Sequence, residues 1–257
     1  MGQLARVNGV DLYVSDQGSG EPVLVLLHYF AGSSGAWDGV IEQMQGTHRC
    51  VAPDLRGFGD SSAPVSNYAV KDYADDVEGL IRSLNLESYV LVGHSMGGKF
   101  AMALAARRPV GLRALVLVDP SPPTPEPMSE SDRDHLLASH GDRAAMVDLI
   151  RKITVRPLPE VVFETAVEDN LRSSPSAWCA WLEHGSCEDI AEHMPNICVP
   201  TLVLRGADDP VMSRHLLERE VVGRIRDSRM IEVPGAGHLL PLRAPVQVAA
   251  FIATVLA

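Results

Sequence analysis

Basic residues are scarce in this chain. Lys and Arg number 22 against 33 Asp and Glu, a formal net charge of −11 over 257 residues. Phosphate neutralisation needs a basic face, so this balance argues against a nucleic-acid partner. Cysteine is sparse too. The four (Cys50, Cys179, Cys187, Cys198) fit no metal or redox spacing and are expected to be reduced, half-buried small hydrophobes. Long hydrophobic runs are missing. The purest apolar run near the start, Val23–Leu27, is far too short to span a bilayer, so no membrane association is expected. Met1–Gln17 is polar and charged throughout, without the apolar stretch of a secretory signal, and the expected location is cytoplasmic. Neither an internal repeat nor a heptad run occurs. What remains is 46% hydrophobic and 21% charged, the balance of a globular protein with enough length for a sizeable core.

Short β-branched runs recur along the chain at Val23–Leu27, Cys50–Asp54, Tyr89–Gly93, Ala114–Asp119, Thr201–Arg205 and Arg229–Val233. Near-continuous apolar runs of this kind read as strands buried on both faces, which means a mostly parallel sheet. Ala5–Val7 and Val10–Ser15 flank Asn8-Gly9, a dipeptide suited to a two-residue turn, so the chain should open with an antiparallel hairpin. Helical patterns fall at Val70–Leu84, Met96–Arg108, Arg214–Val222 and Val246–Leu256. Strand and helix in alternation predict a doubly wound α/β sheet.

One region interrupts the alternation. Pro120-Ser-Pro-Pro-Thr-Pro-Glu-Pro127 holds five prolines in eight residues, which forbids helix and favours an extended connector. Ser129–Ile197 beyond it has helical patterns and no good strand run. Ser121–Ile197 also holds 14 acids and 6 bases, net −8, most of the chain's excess charge. The expected division is therefore a core of residues 1–120 and 198–257 with a helical lid inserted at 121–197. The plainer alternative is a surface subdomain with solvated acidic faces.

The strongest chemical signal is Gly93-His94-Ser95-Met96-Gly97, which follows the strand run and precedes an amphipathic, alanine-rich stretch. A serine on a tight strand-to-helix turn sits in a strained conformation, and glycines two positions to either side leave room for it. Such a turn lifts the hydroxyl clear of the sheet. It also puts the Met96 amide at a helix N-terminus, ready to donate to a developing oxyanion. The strand before and the helix after make Ser95 a candidate nucleophile rather than an idle turn residue.

Together with His28-Tyr-Phe-Ala-Gly32, Asp54-Leu-Arg-Gly-Phe-Gly-Asp-Ser61, Gly206-Ala-Asp-Asp-Pro210 and Gly235-Ala-Gly-His238, this motif resembles the α/β-hydrolase superfamily over nearly the whole chain. The similarity is greatest to small bacterial serine esterases and to cofactor-free haloperoxidase-like perhydrolases. The resemblance implies an eight-stranded, mostly parallel sheet and a Ser-His-Asp triad with no cofactor. It places the base at His238, in a glycine-rich loop past the last strand, and the chain order Ser95, acid, His238 fits that fold. It puts the acid at Asp209, with Asp119 and Asp208 as alternatives. It gives the second oxyanion donor as the amide of Phe30. Here the chain departs from the family pattern His-Gly-x-x-Gly, since Tyr29 replaces the first glycine. Tyr29 either narrows the acyl side, donates through its hydroxyl, or packs against the lid.

Other residues have readings of their own. His94 is expected to pack or hydrogen-bond behind the turn, and His28 to form a structural bond under the oxyanion loop. The Asp54 loop is a structural turn rather than a phosphate loop, because it lacks the lysine and spacing of one. Asp72, Asp75 and Asp76 favour the positive end of a helix dipole rather than a metal. Trp178 and Trp181 either line a hydrophobic substrate slot or pack the lid core. Lys99 is expected to be a solvated helix residue. The reading is thus hydrolysis of neutral, short-to-medium esters by a monomer or homodimer. The competing readings are acyl transfer to peroxide, carbon–carbon hydrolysis (disfavoured by His94 and Leu239 where such relatives carry Asn and Trp), and ligand binding without turnover.

Overall fold

The computed structural model describes residues 2–256. Eight strands form one sheet in the order β1-β2-β4-β3-β5-β6-β7-β8. β1 (Gly2–Val7) and β2 (Val10–Gln17) make the antiparallel hairpin that Asn8-Gly9 signals. Both turn residues have positive φ, 46° and 85°, as a two-residue turn matched to strand twist requires. β2 also pairs antiparallel with β4 (Cys50–Pro53), and every later pairing is parallel. Those strands are β3 (Val23–Leu27), β5 (Tyr89–His94), β6 (Leu112–Val118), β7 (Thr201–Gly206) and β8 (Ser228–Val233). The doubly wound, mostly parallel sheet read from the sequence is what the chain forms.

Side-chain alternation along the buried strands divides the core into two layers. Leu24 and Leu26 of β3 and Val90 and Val92 of β5 face α1 (Asp38–Met44) and α10 (Pro245–Ala253), with Trp37 between. Val25, Leu27 and Leu91 face the other way, onto α2 (Val70–Ser83), α3 (Met96–Ala105) and α8 (Arg214–Leu217). A run such as Val-Leu-Val-Leu-Leu is apolar throughout because both of its faces are covered.

Between β6 and β7 run α4 (Glu130–Ala138), α5 (Arg143–Thr154), α6 (Glu160–Leu171) and α7 (Pro175–Glu183). Side chains of Ser129, Asp142 and Ser174 cap three of them by accepting from backbone amides of the first turn. α9 (Leu240–Arg243) is a short turn before α10. Among the described residues no helix is long and apolar enough to cross a membrane.

Several helix limits differ from the sequence reading, and α10 ends at Ala253 rather than Leu256. α3 stops at Ala105 rather than Arg108, since Arg108 takes φ 55° just before Pro109. The pattern over Arg214–Val222 is α8 followed by π-type turns over Glu218–Val222.

Candidate active site

The carboxyl ends of the parallel strands bring the chemically able side chains to one edge of the sheet, where open α/β sheets hold their ligands. Ser95 sits between β5 and α3 with φ 51° and ψ −117°, a region that side-chain-bearing residues rarely adopt. Packing compels this strain. A Cβ on Gly93 would meet the Gly97 carbonyl oxygen at 2.4 Å, and one on Gly97 would meet that of Leu27 at 2.5 Å. Backbone bonds pin the bend as well. The Ser95 amide donates to Val118 at 3.0 Å, and its carbonyl accepts from Gly98 at 2.8 Å and Ser121 at 3.0 Å.

His238 lies on the loop after β8, and its amide donates to the Ile153 carbonyl at 2.8 Å. Its ring joins two distant parts of the chain. Nε2 is 2.9 Å from Ser95 Oγ, and Nδ1 is 2.9 Å from Asp209 Oδ2. A carboxylate only accepts, so Nδ1 carries the proton and Nε2 is free to accept from the serine hydroxyl. Asp209 follows β7 and takes a second bond at Oδ1 from the Val211 amide at 2.7 Å. Burial pushes its carboxyl up. The His238 charge and bond, the Val211 amide and Asp119 together outweigh that and hold it below the ordinary carboxylate range.

Of the three candidate acids, Asp209 is therefore the one that meets the imidazole. Asp208 is partly exposed near Arg156. Asp119 is fully buried beside Asp209, and burial followed by the neighbouring charge pushes its carboxyl well up.

The turn Tyr29–Gly32 closes with the Gly32 amide donating to Tyr29 at 3.0 Å, and Ala31 within it has φ 61°. Neither the Phe30 nor the Met96 amide donates to another protein group among the described residues. His28 lies beneath this turn. Its Nδ1 donates to the Tyr29 carbonyl at 2.7 Å and its Nε2 accepts from the Leu55 amide at 3.0 Å. Burial pushes this ring down, against the pull of Asp54, so it stays a neutral structural tie.

Tyr29 is buried, and its hydroxyl lies beside the Asn170 side chain without a well-formed hydrogen bond. Its ring lies 5.3 Å from that of His94. It also walls a cavity of about 350 Å³ shared with Val162, Ala166, Asp169, Pro241 and Leu242. Trp178 and Trp181 are buried against Phe30, at ring separations of 4.7 and 6.4 Å, and neither lines that cavity. The Trp178 ring nitrogen donates to Leu136 in α4 at 3.0 Å.

Lys99 corrects the sequence reading. It is fully buried rather than solvated, and its Nζ donates to the carbonyls of Glu188 at 2.6 Å and Thr124 at 3.3 Å. The segments around 124 and 188 fold over α3, and the ammonium ties them down. Asp76 differs as well, because it forms a buried bidentate pair with Arg56 at 2.6 Å rather than simply facing a helix end. The Asp54 loop is the structural turn expected, with the carboxylate accepting from the amides of Ser34 at 2.6 Å and Asp60 at 2.7 Å.

Sequence reasoning missed the support of the Phe30 turn from α6. Asn170 donates to the Ala31 carbonyl at 3.1 Å, and Ser33 donates to buried Asp169 at 2.6 Å. No local signal marks these residues, since they lie far along the chain from their partners. Among the described residues no group of three or more His, Cys, Asp or Glu is placed to hold a metal ion.

A family model described as the alpha/beta hydrolase fold matches residues 22–149. The chain is 30% identical over 252 residues to a putative non-heme chloroperoxidase of Synechocystis sp., covering 90% of this chain and 89% of that protein. The chain belongs to the α/β-hydrolase family. A second relative, a bifunctional esterase/perhydrolase of Acinetobacter calcoaceticus, is 27% identical over 260 residues, or 94% of each chain. The solved esterase of Exiguobacterium antarcticum superposes with a TM-score of 0.92 at 24% identity, covering all of both chains. That likeness shows the fold. This α/β-hydrolase thus has esterase and haloperoxidase or perhydrolase relatives, and its strained serine stands where the fold exposes side chains at the strand ends.

Proposed function

We propose that this α/β-hydrolase is a serine esterase, cleaving neutral carboxylic esters through an acyl-enzyme. The observation that carries the reading is the His238 ring, 2.9 Å from both Ser95 Oγ and Asp209 Oδ2. As Ser95 Oγ attacks the ester carbonyl, its proton passes to His238 Nε2, and Asp209 stabilises the imidazolium that forms. The carbonyl oxygen becomes an oxyanion, which the Met96 and Phe30 amides receive. His238 then protonates the departing alkoxide and leaves the acyl group on Ser95. Water, deprotonated by the same ring, attacks the acyl-enzyme and releases the acid. No cofactor takes part.

In this reading the helices of residues 121–197 form a cap over the strand ends. Trp178 and Trp181 anchor that cap to Phe30, whereas the cavity that Tyr29 walls is lined by none of Ser95, Met96, Phe30 and His238. Hydrogen peroxide replacing water in the second step would give a peracid, and the names of the chloroperoxidase and esterase/perhydrolase relatives favour that second activity. A panel of p-nitrophenyl esters of graded acyl length, run with and without peroxide, tests both. The expected result is a p-nitrophenolate burst matching the enzyme concentration, with none from Ser95→Ala. A Ser95→Ala enzyme that still turns over overturns the reading.

A further inference from the structure

β6 and β7 are neighbours in the sheet, with Val118 paired to Leu204. The residue after β6 is thereby carried to the end of β7, next to the turn that bears Asp209. Asp119 is that residue. Its amide donates to Leu204 at 2.8 Å, it takes φ 40°, and its side chain is fully buried. Oδ1 accepts from the Gly206 amide at 2.8 Å, whereas Oδ2 is met by no donor among the described residues.

The carboxyl groups of Asp119 and Asp209 lie within hydrogen-bonding reach of each other. Two carboxylate anions do not share such a buried contact, so one of them holds a proton. Asp209 has two donors, the His238 ring and the Val211 amide, which suits an anion. Asp119 has one amide and no water access, which suits a neutral acid. The charged groups facing Asp119 are Asp209, with His238 behind it, and Arg205. The Arg205 guanidinium is already committed, to Glu232 and to the carbonyls of Met212, Ala207 and Asp209.

We propose that Asp119 is a positioning residue whose carboxylic acid donates from Oδ2 to the Asp209 carboxylate and holds it in the orientation that receives the His238 ring. The inference rests on the reading of Ser95, His238 and Asp209 as the triad. The donated bond spreads the negative charge of Asp209 and tempers its grip on the imidazolium. Without it Asp209 swings more freely and holds the charged ring more firmly. The acid limb of kcat/KM then moves to higher pH.

The test compares Asp119→Val, which removes the donor, with Asp119→Asn, which keeps an N–H donor and an acceptor in the same places. Asp119→Val is expected to lose about tenfold in kcat/KM, the worth of one buried hydrogen bond, and to move the acid limb upward. Asp119→Asn recovers most of that loss and restores the pH midpoint. Infrared difference spectra of wild type minus Asp119→Asn at neutral pH should show the carbonyl stretch of a protonated carboxylic acid. Absence of that band, or an Asn variant no better than the Val one, overturns the proposal. The band is independent of turnover. A Ser95→Ala enzyme that keeps its activity while the band persists would instead overturn the triad reading.

Discussion

His94 Nε2 donates to the main-chain carbonyl of His238 at 2.8 Å. The residue before the strained serine thereby holds the loop that carries the imidazole. Desolvation by burial, aided by the His238 charge, pushes the His94 ring down to about 3, so it stays neutral in the folded protein. In the unfolded chain the same ring takes a proton near pH 6.5. Between pH 6.5 and about 3 the unfolded state therefore binds more protons, and stability falls as the pH drops, by up to about 1.4 kcal/mol per pH unit for this one group. His94→Phe should flatten the dependence of the urea midpoint on pH across that window. It should also lower kcat/KM about tenfold through the freed loop. An unchanged slope would mean the ring is not held neutral by the fold.

Tyr29 brings a phenol into the core beside Asn170, with no well-formed bond to its hydroxyl. A buried unsatisfied hydroxyl costs about 1–3 kcal/mol, so removing it should help. Tyr29→Phe is expected to raise the urea midpoint by the equivalent of about 1 kcal/mol. A clear loss of stability would show that the hydroxyl has a hydrogen-bond partner after all.

Lys99 gives a larger effect of opposite sign. Methionine fills the same space and leaves the Glu188 and Thr124 carbonyls unpaired, so Lys99→Met should cost about 2 kcal/mol in urea unfolding. Exposed helix residues change stability by about 0.5 kcal/mol or less. A value in that small range would return Lys99 to the surface.

The net −8 over Ser121–Ile197 sets an expectation for substrate charge. If these helices border the entrance, an anionic ester is repelled at low salt and the repulsion fades as salt screens it. Turnover of a neutral ester and its carboxylated analogue at two ionic strengths should show a preference for the neutral one that shrinks with salt. Equal turnover at low salt would leave these acids as solvating groups.

The sheet was legible because its inner strands, such as β3 and β5, are short, β-branched and apolar on both faces, a pattern few other arrangements produce. Gly93-His94-Ser95-Met96-Gly97 was legible for a related reason. A strained serine needs glycines at fixed offsets, and that need is local in sequence. Asp209 required the resemblance to single it out, because Asp119 and Asp208 carry the same chemistry at equally plausible turns. Lys99 was misread because its burial comes from the segments around 124 and 188 folding over α3, and nothing in Met96–Arg108 announces that cover. Asn170 and Asp169 were invisible for the same reason, since their partners at Ala31 and Ser33 meet them only once α6 has folded back.

In the proposed reaction the Ser95 hydroxyl is made nucleophilic by His238. A fluorophosphonate probe reads that property directly, followed by mass mapping of the modified peptide. The wild type should acquire one phosphonyl group on Ser95, His238→Ala should react at least about 10³-fold more slowly, and Ser95→Ala should stay unlabelled. Equal labelling of wild type and Ser95→Ala, or an adduct mapped to another residue, would contradict it.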